Sequence, residues 1–149
     1  MEEILRKLTD RDDKTAYEFA KQLSVESTGS DRYLAMIPMF AELLQDKSSC
    51  VRTRAFILIC NQARWANDGQ LVTVFDQMCL LLNEPKPTVV RQCLSALREV
   101  VLFRPELSDK IENALTEIDI SKYKDSMSSL ILKDVDELRN LLLERKIVI

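Results

Sequence analysis

The side chains with the greatest potential for chemistry in this sequence are four cysteines, Cys50, Cys60, Cys79 and Cys93. A thiol can serve as a nucleophile, a zinc ligand or one half of a disulfide. The chain has no histidine and no Cys-x-x-Cys pair, so the sequence indicates neither a zinc finger nor a histidine-activated nucleophile. Each cysteine lies inside a helical apolar pattern, which predicts buried thiols that behave as small hydrophobes.

Neither the carboxylates nor the glycines of the sequence form a recognisable calcium or phosphate loop. Asp10, Asp12 and Asp13 form an acidic cluster, but the glycine and the distal glutamate of a calcium loop are missing at the required offsets. Helix capping explains the cluster better. With Gly29 and Gly69 as the only glycines, a glycine-rich phosphate loop is excluded. We therefore predict a protein that is not an enzyme and that uses no cofactor and no metal.

Composition favours long helices joined by a few short loops. The chain has 149 residues, with 46% hydrophobic and 30% charged residues, which suits one globular domain over residues 1–149. Two glycines and four prolines are too few for the many tight turns of a β-sandwich or barrel. The predicted fold class is all-α.

The charge balance argues against a polyanionic partner. The net charge is −3 and the pI is near 5.1, so no global basic field would attract nucleic acid or anionic lipid. The first residues are acidic where a signal peptide would be basic, and apolar runs such as 55–60 are far shorter than the roughly 20 residues of a membrane helix. These features predict a cytoplasmic protein without membrane contact.

Apolar periodicity predicts nine helices. Asp31 is the expected N-cap of the third helix, and Pro38 is expected to kink that helix one turn inside. A second aspartate, Asp134, is the expected N-cap of the ninth. The apolar end, residues 147–149, is expected to dock on the last helix pair or to contact a partner. The predicted helices cover residues 4–8, 13–26, 34–44, 50–66, 70–82, 88–103, 105–118, 122–132 and 134–144.

The helices form pairs, and the pairs repeat. In residues 36–55 and again in 75–94, an apolar helix ends in two leucines, a polar corner follows, and a Val-Arg dipeptide opens the next helix. The two dipeptides, Val51-Arg52 and Val90-Arg91, lie 39 residues apart. A weaker copy precedes them and a degenerate one follows, as is common for terminal repeats.

The segment from Ile37-Pro38 through Asp46 to Arg52 and Ala55 resembles the HEAT-repeat pattern, including the proline of the first helix. This resemblance implies a right-handed α-α superhelix, an armadillo-like solenoid of about four helix pairs. It also implies a ladder in which corner acids and arginines stack between repeats. Asp46 and Arg52 match those roles and Arg91 matches the second rung, where Glu84 or Asn83 would have to replace the acid.

A solenoid of this type is expected to bind a protein or peptide partner on its concave face, as a scaffold. Helical geometry places eight candidate binding residues and three further positions, Ser24, Cys60 and Ala96, on that face. Such a surface is mixed, modestly apolar and nearly neutral, which suits a peptide groove. Alternatively, Ile57 and Cys60 simply pack in the core. The candidate binding residues are Tyr17, Lys21, Thr53, Ile57, Arg64, Gln92, Glu99 and Phe103.

Two other functions are weighed against this one. Some DNA glycosylases consist of HEAT-like helix pairs, and such an enzyme needs a basic stripe, an aromatic side chain and a carboxylate. Trp65 with Asp68 is the local candidate here, but the arginines are interleaved with acids, so nucleic-acid binding is disfavoured. The third function is that of an accessory subunit that assists an enzyme made elsewhere.

Overall fold

The computed structural model describes residues 1–67 and 69–148, which form eight α-helices, four short 3-10 segments and no strand. The all-α prediction is therefore confirmed. The predictions for Asp68 and for the side chains of residues 147–149 lie outside the described residues. The helices are α1 (Glu2–Leu8), α2 (Asp13–Ser27), α3 (Ile37–Leu43), α4 (Ser49–Asn61), α5 (Val72–Cys79), α6 (Pro87–Phe103), α7 (Ser108–Thr116) and α8 (Asp125–Val148).

The even-numbered helices pack side by side in chain order, α2 on α4, α4 on α6 and α6 on α8. We refer to these four helices as the even row. Each odd-numbered helix, or the 3-10 segment that extends it, packs on the even helix that follows it in the chain. The 3-10 segments are Leu34–Met36 before α3, Leu80–Asn83 after α5, Pro105–Leu107 before α7 and Ile120–Lys122 before α8.

Helix α4 lies at the centre of the core beside α6. It contacts α2, α3 and α6, while α6 contacts α4, α8 and two of the 3-10 segments. The sequence predicts that helix α4 is buried on every side, since its apolar residues surround its axis. Phe56, Leu58, Ile59 and Cys60 are all 0% exposed, as that prediction requires. Ile57 is only half-buried, which leaves one strip of α4 open to solvent.

Long-range side-chain hydrogen bonds join positions that are about one helix pair apart. Ser24 bonds to Asn61, 37 residues later, and the indole of Trp65 donates to the carbonyl oxygen of Ser27, 38 residues earlier. Within the described residues, the longest separation is the 46 residues between Arg54 and Leu8. Each helix pair is thus tied to its neighbours in the chain.

The structure differs from the helix predictions at three places. The predicted eighth and ninth helices are one continuous helix, α8, so Asp134 lies in its interior and caps nothing. Pro38 stands in the first turn of α3, where its missing N–H needs no acceptor, rather than one turn inside the helix. Asp31 precedes a 3-10 segment that begins only at Leu34. In each case the residue type matches a helix-start or helix-kink signal, but the helix begins at a different residue from the one predicted.

Candidate functional site

A groove of about 600 Å³ crosses the N-terminal halves of α2, α4 and α6. Its apolar lining consists of Tyr17, Ile57, Val89 and Ala96. Its charged lining consists of Asp13, Lys14, Arg54 and Lys86. Small and polar side chains complete it, namely Ser49, Cys50, Thr53, Thr88, Gln92 and Ser95. Because all three helices contribute their first turns to one groove, they run in the same direction.

Local capping determines where each groove helix begins. At α2, the carboxylate of Asp12 accepts a hydrogen bond of 2.9 Å from the Thr15 hydroxyl, and this bond lowers the pKa of Asp12. At α4, the hydroxyl of Ser48 accepts from the N–H of Val51 at 3.4 Å. Helix α6 begins with Pro87, which has no N–H to satisfy at that position. The three helices that line the groove thus begin at residues that local sequence defines.

Arg54 is the unusual side chain of the groove because it is charged and only 6% exposed. Its Nε donates to the carbonyl oxygen of Leu8 at 3.2 Å. Its Nη2 lies 3.5 Å from a carboxylate oxygen of Asp13 but has no hydrogen-bond acceptor. A buried guanidinium with one unsatisfied nitrogen therefore lies under the wall of the groove.

The structure brings four of the eight candidate binding residues together in this groove, namely Tyr17, Thr53, Ile57 and Gln92. Tyr17 is the most open of them, with 55% of its surface exposed. Thr53 differs from the expectation, because it is 5% exposed and its hydroxyl donates to the carbonyl oxygen of Ser49 at 2.7 Å. A helical wheel places Thr53 on the concave face, but it takes no account of α2 and α6, which both pack against α4.

Lys21 lies apart from the groove. It lines a different depression of about 760 Å³ between α1 and α2, together with Arg6, Glu18 and Phe19. That depression involves only the first helix pair, so it cannot unite the candidate residues of α4 and α6. The structure thus separates Lys21 from Tyr17, the other candidate binding residue on α2.

The remaining candidates, Arg64, Glu99 and Phe103, form a second cluster towards the C-terminal ends of the even row. Nη2 of Arg64 lies 3.3 Å from both carboxylate oxygens of Glu99, and its Nη1 donates to the carbonyl oxygen of Thr28 at 3.0 Å. The guanidinium also lies 4.8 Å from the centre of the Phe103 ring. The two Nη atoms of Arg64 thus have acceptors within the chain, while its buried Nε has none. The cluster links neighbouring helices, and its guanidinium is already paired with a carboxylate.

The predicted arginine ladder has different partners from those expected. Arg52 donates to both carboxylate oxygens of Glu84, at 2.9 and 2.6 Å, and this hydrogen bonding raises the pKa of Arg52. Arg52 also reaches the carbonyl oxygen of Asp46 at 2.8 Å, while the Asp46 carboxylate accepts from the N–H of Ser48. Glu84, the substitute acid of the next repeat, is thus the ionic partner of Arg52.

Arg91 makes a corresponding contact one helix pair later. Its Nε donates to Asp134 at 2.7 Å, and this hydrogen bond raises the pKa of Arg91. Arg52 and Arg91, which occupy equivalent sequence positions, therefore both pair with an acid of the following helix pair. The two ion pairs connect α4 to the start of α6 and α6 to the interior of α8.

The four cysteines are free, and only two of them are buried as predicted. Burial raises the pKa of the thiols of Cys60 and Cys93, and it raises the pKa of the half-buried Cys79 to about 12. Cys50, in the first turn of α4, is exposed and lines the groove. The groove thus contains the most accessible thiol of the chain.

We expect a disulfide reagent at pH 8 to modify one thiol of the native protein rapidly and the other three only after unfolding. The thiolate is the reactive form, and a pKa near 12 leaves only about one part in ten thousand of Cys79 ionised at that pH. Cys50→Ser should abolish the rapid phase, and the control Cys79→Ser should preserve it. Two rapid thiols, or a rapid phase that survives Cys50→Ser, would contradict this burial pattern.

Sequence reasoning missed Cys50, Arg54 and Lys86 as groove residues. Both Cys50 and Arg54 lie in α4. The sequence predicts a buried thiol at Cys50, and it indicates no separate role for Arg54 among the arginines that are interleaved with acids. The available signal for Arg54 was a single charge inside an otherwise buried run. Because Lys86 belongs to a corner rather than a helix, periodicity could not assign it to any face.

Comparison of the chain with models of protein families, with curated proteins and with solved structures finds no match. In residues 1–67 and 69–148, no three cysteine, aspartate or glutamate side chains are grouped as a metal site requires. No helix in that part of the chain has both the length and the hydropathy of a membrane span. The resemblance to HEAT repeats therefore stays a prediction.

Proposed function

We propose that this chain is a non-catalytic interaction module that binds a protein or peptide partner in the groove across α2, α4 and α6. The observation that carries the proposal is the partly exposed apolar lining of a groove to which three consecutive even helices contribute. Tyr17 is exposed there, Ile57 and Ala96 are half-buried, and Val89 is buried. Apolar and aromatic side chains in a groove with polar margins are typical of peptide-binding surfaces.

The proposed architecture is a HEAT-like α-solenoid of about four helix pairs, with the groove on its concave side. In support, the even helices contact one another in chain order, and side-chain hydrogen bonds connect positions about one pair apart. Stacked repeats that touch only their neighbours are the defining property of solenoids.

The alternative, a nucleic-acid-binding or base-processing protein, has less support. The indole N–H of Trp65 already donates to the carbonyl oxygen of Ser27 at 2.7 Å. Arg52, Arg64 and Arg91 are engaged by carboxylates of this chain, which leaves them poorly placed to contact phosphates. We therefore retain the peptide-binding proposal as the better supported one.

The proposal is tested by quantitative affinity capture from a native lysate with three forms of the protein. Tyr17→Glu/Ser95→Glu puts two charges into the groove, and Val25→Glu/Ser129→Glu puts two on exposed sites elsewhere. Burying a carboxylate against an apolar partner should reduce capture by about tenfold or more in the groove variant only. Circular dichroism verifies the fold of all three.

Equal capture by the three proteins would contradict binding in the groove. Capture of nucleic acid alone, with an affinity that falls steeply with salt, would favour the nucleic-acid alternative instead.

A further inference from the structure

We propose that the groove is specific for an acidic peptide, one that places an aspartate or glutamate side chain within a few residues of an apolar one. This inference rests on the proposed function and adds the chemistry of the partner. Its basis is the distribution of charge in and beside the groove, which is opposite in sign to that of the whole chain.

The groove continues into a smaller depression of about 440 Å³ that shares Asp13, Ser49, Cys50 and Lys86 with it. Together the two are lined by five cationic and two anionic side chains, a net charge of +3 on a protein whose net charge is −3. The lining cations are Lys14, Lys47, Arg52, Arg54 and Lys86, and the anions are Asp13 and Glu84.

The two acids are already occupied by the two arginines. Glu84 accepts both hydrogen bonds from Arg52, and Asp13 lies 3.5 Å from Arg54. In the described parts of the chain, no ion pair involves the three lysines. All three lysines are exposed. Lys14 and Lys86 line the groove with the apolar side chains, and Lys47 lines the adjoining depression.

The buried guanidinium of Arg54 points to the same kind of ligand. Its Nη2 has no hydrogen-bond acceptor, and an unsatisfied charged donor in a protein interior is costly. The neighbouring Asp13 side chain is 65% exposed and neutralises Arg54 only in part. A second carboxylate near this wall would experience the remaining positive charge, to which the N-terminal dipoles of α2, α4 and α6 contribute.

Apolar groups of the partner are recognised separately. Tyr17 and Ile57 line the same groove as Lys14 and Lys86, so one short peptide can contact both apolar and charged side chains. The lysines supply attraction and orientation, and the apolar contact supplies most of the affinity. A basic peptide would meet like charges at the same margin, so it should be excluded.

The first stage of the test is a selection of random 12-residue displayed peptides on the complete protein, with counter-selection on the groove variant Tyr17→Glu/Ser95→Glu. We expect enriched peptides to carry aspartate or glutamate next to an aliphatic or aromatic residue. Enriched groove-dependent peptides without acids would overturn this inference but leave the proposed function intact. A selection that yields no groove-dependent peptide would contradict both.

The second stage measures the dissociation constant of the most enriched peptide and of its copy with acids changed to amides, by the fluorescence anisotropy of a dye attached to the end of each peptide. We expect the amide copy to bind about fivefold or more weakly at 0.1 M salt, and this difference to shrink at 1 M salt, where screening acts over about 3 Å. Equal affinities of the two peptides would refute the charge-based recognition.

Charge variants then assign the effect to named residues. Lys14→Gln/Lys86→Gln should weaken the acidic peptide about fivefold and remove its advantage over the amide copy, whereas the control Lys21→Gln/Lys133→Gln should change neither. Asp13→Asn, which removes the competing carboxylate, should strengthen binding of the acidic peptide. Equal losses in the two lysine variants would overturn the assignment, as would a loss in Asp13→Asn.

Discussion

Replacing Phe56 with alanine is expected to lower the free energy of unfolding by about 3–5 kcal/mol, the usual cost of truncating a fully buried phenylalanine. Phe56 is 0% exposed in α4, the helix that contacts α2, α3 and α6. A cavity at this position removes contacts to several helices at once. For a chain of this size, each 1 kcal/mol lowers the melting temperature by about 2–4 °C. Urea denaturation and a thermal melt followed by circular dichroism measure both quantities.

Phe103→Ala is the matched control, since it removes the same atoms from a position that is 36% exposed at the end of α6. It loses the cation–π contact with Arg64, and we expect a cost below about 2 kcal/mol. Comparable losses in the two variants would mean that α4 is not the centre of the core.

Replacing Arg52 with methionine is expected to destabilise the protein by about 2–4 kcal/mol, near the lower end of the range for buried ion pairs. The side chains of Arg52 and Glu84 are 20% and 13% exposed, so the substitution leaves a mostly buried carboxylate without its cation. The two residues belong to consecutive helix pairs. The decrease in the free energy of unfolding therefore measures how strongly this contact between the two pairs stabilises the protein. Denaturant unfolding of the variant and of the parent measures the difference in their free energies of unfolding.

The double variant Arg52→Met/Glu84→Leu should recover most of that loss, because two apolar side chains then replace a desolvated ion pair. The exposed pair of Lys7 and Glu3, at 3.3 Å with side chains 47% and 68% exposed, is the reference. Lys7→Met should cost about 0.5 kcal/mol or less. If Arg52→Met cost no more than Lys7→Met, the link between the pairs would be unimportant for stability.

Local sequence signals predicted helix identity well where apolar periodicity was long and strong. The predicted ranges 13–26 and 88–103 agree with α2 and α6 to within one residue at each end. The same reasoning divided α8 in two, because an aspartate at position 134 matches an N-cap signal. In the folded chain that aspartate pairs with Arg91, so a distant partner decides its role.

The candidate site was predictable only in part. Tyr17, Ile57 and Gln92 were selected from helical geometry, and the structure places all three in one groove. Arg64, Glu99 and Phe103 were selected by the same rule but contact one another instead. A rule based on one helix gives the direction of a side chain, but the neighbouring helices determine whether that side chain is open, covered or already paired.

By itself, the amino-acid sequence determined that this chain is all-α, because few glycines and prolines and a persistent helical period leave no other economical way to bury its apolar residues. The tertiary structure alone decided which charges are compensated. Arg52 and Glu84 are 32 residues apart in the chain yet 2.6 Å apart in space, while in the described residues Lys14 and Lys86 form no ion pair. Whether two charged side chains form an ion pair depends on the distance between their atoms, and that distance is set only when the helix pairs pack together.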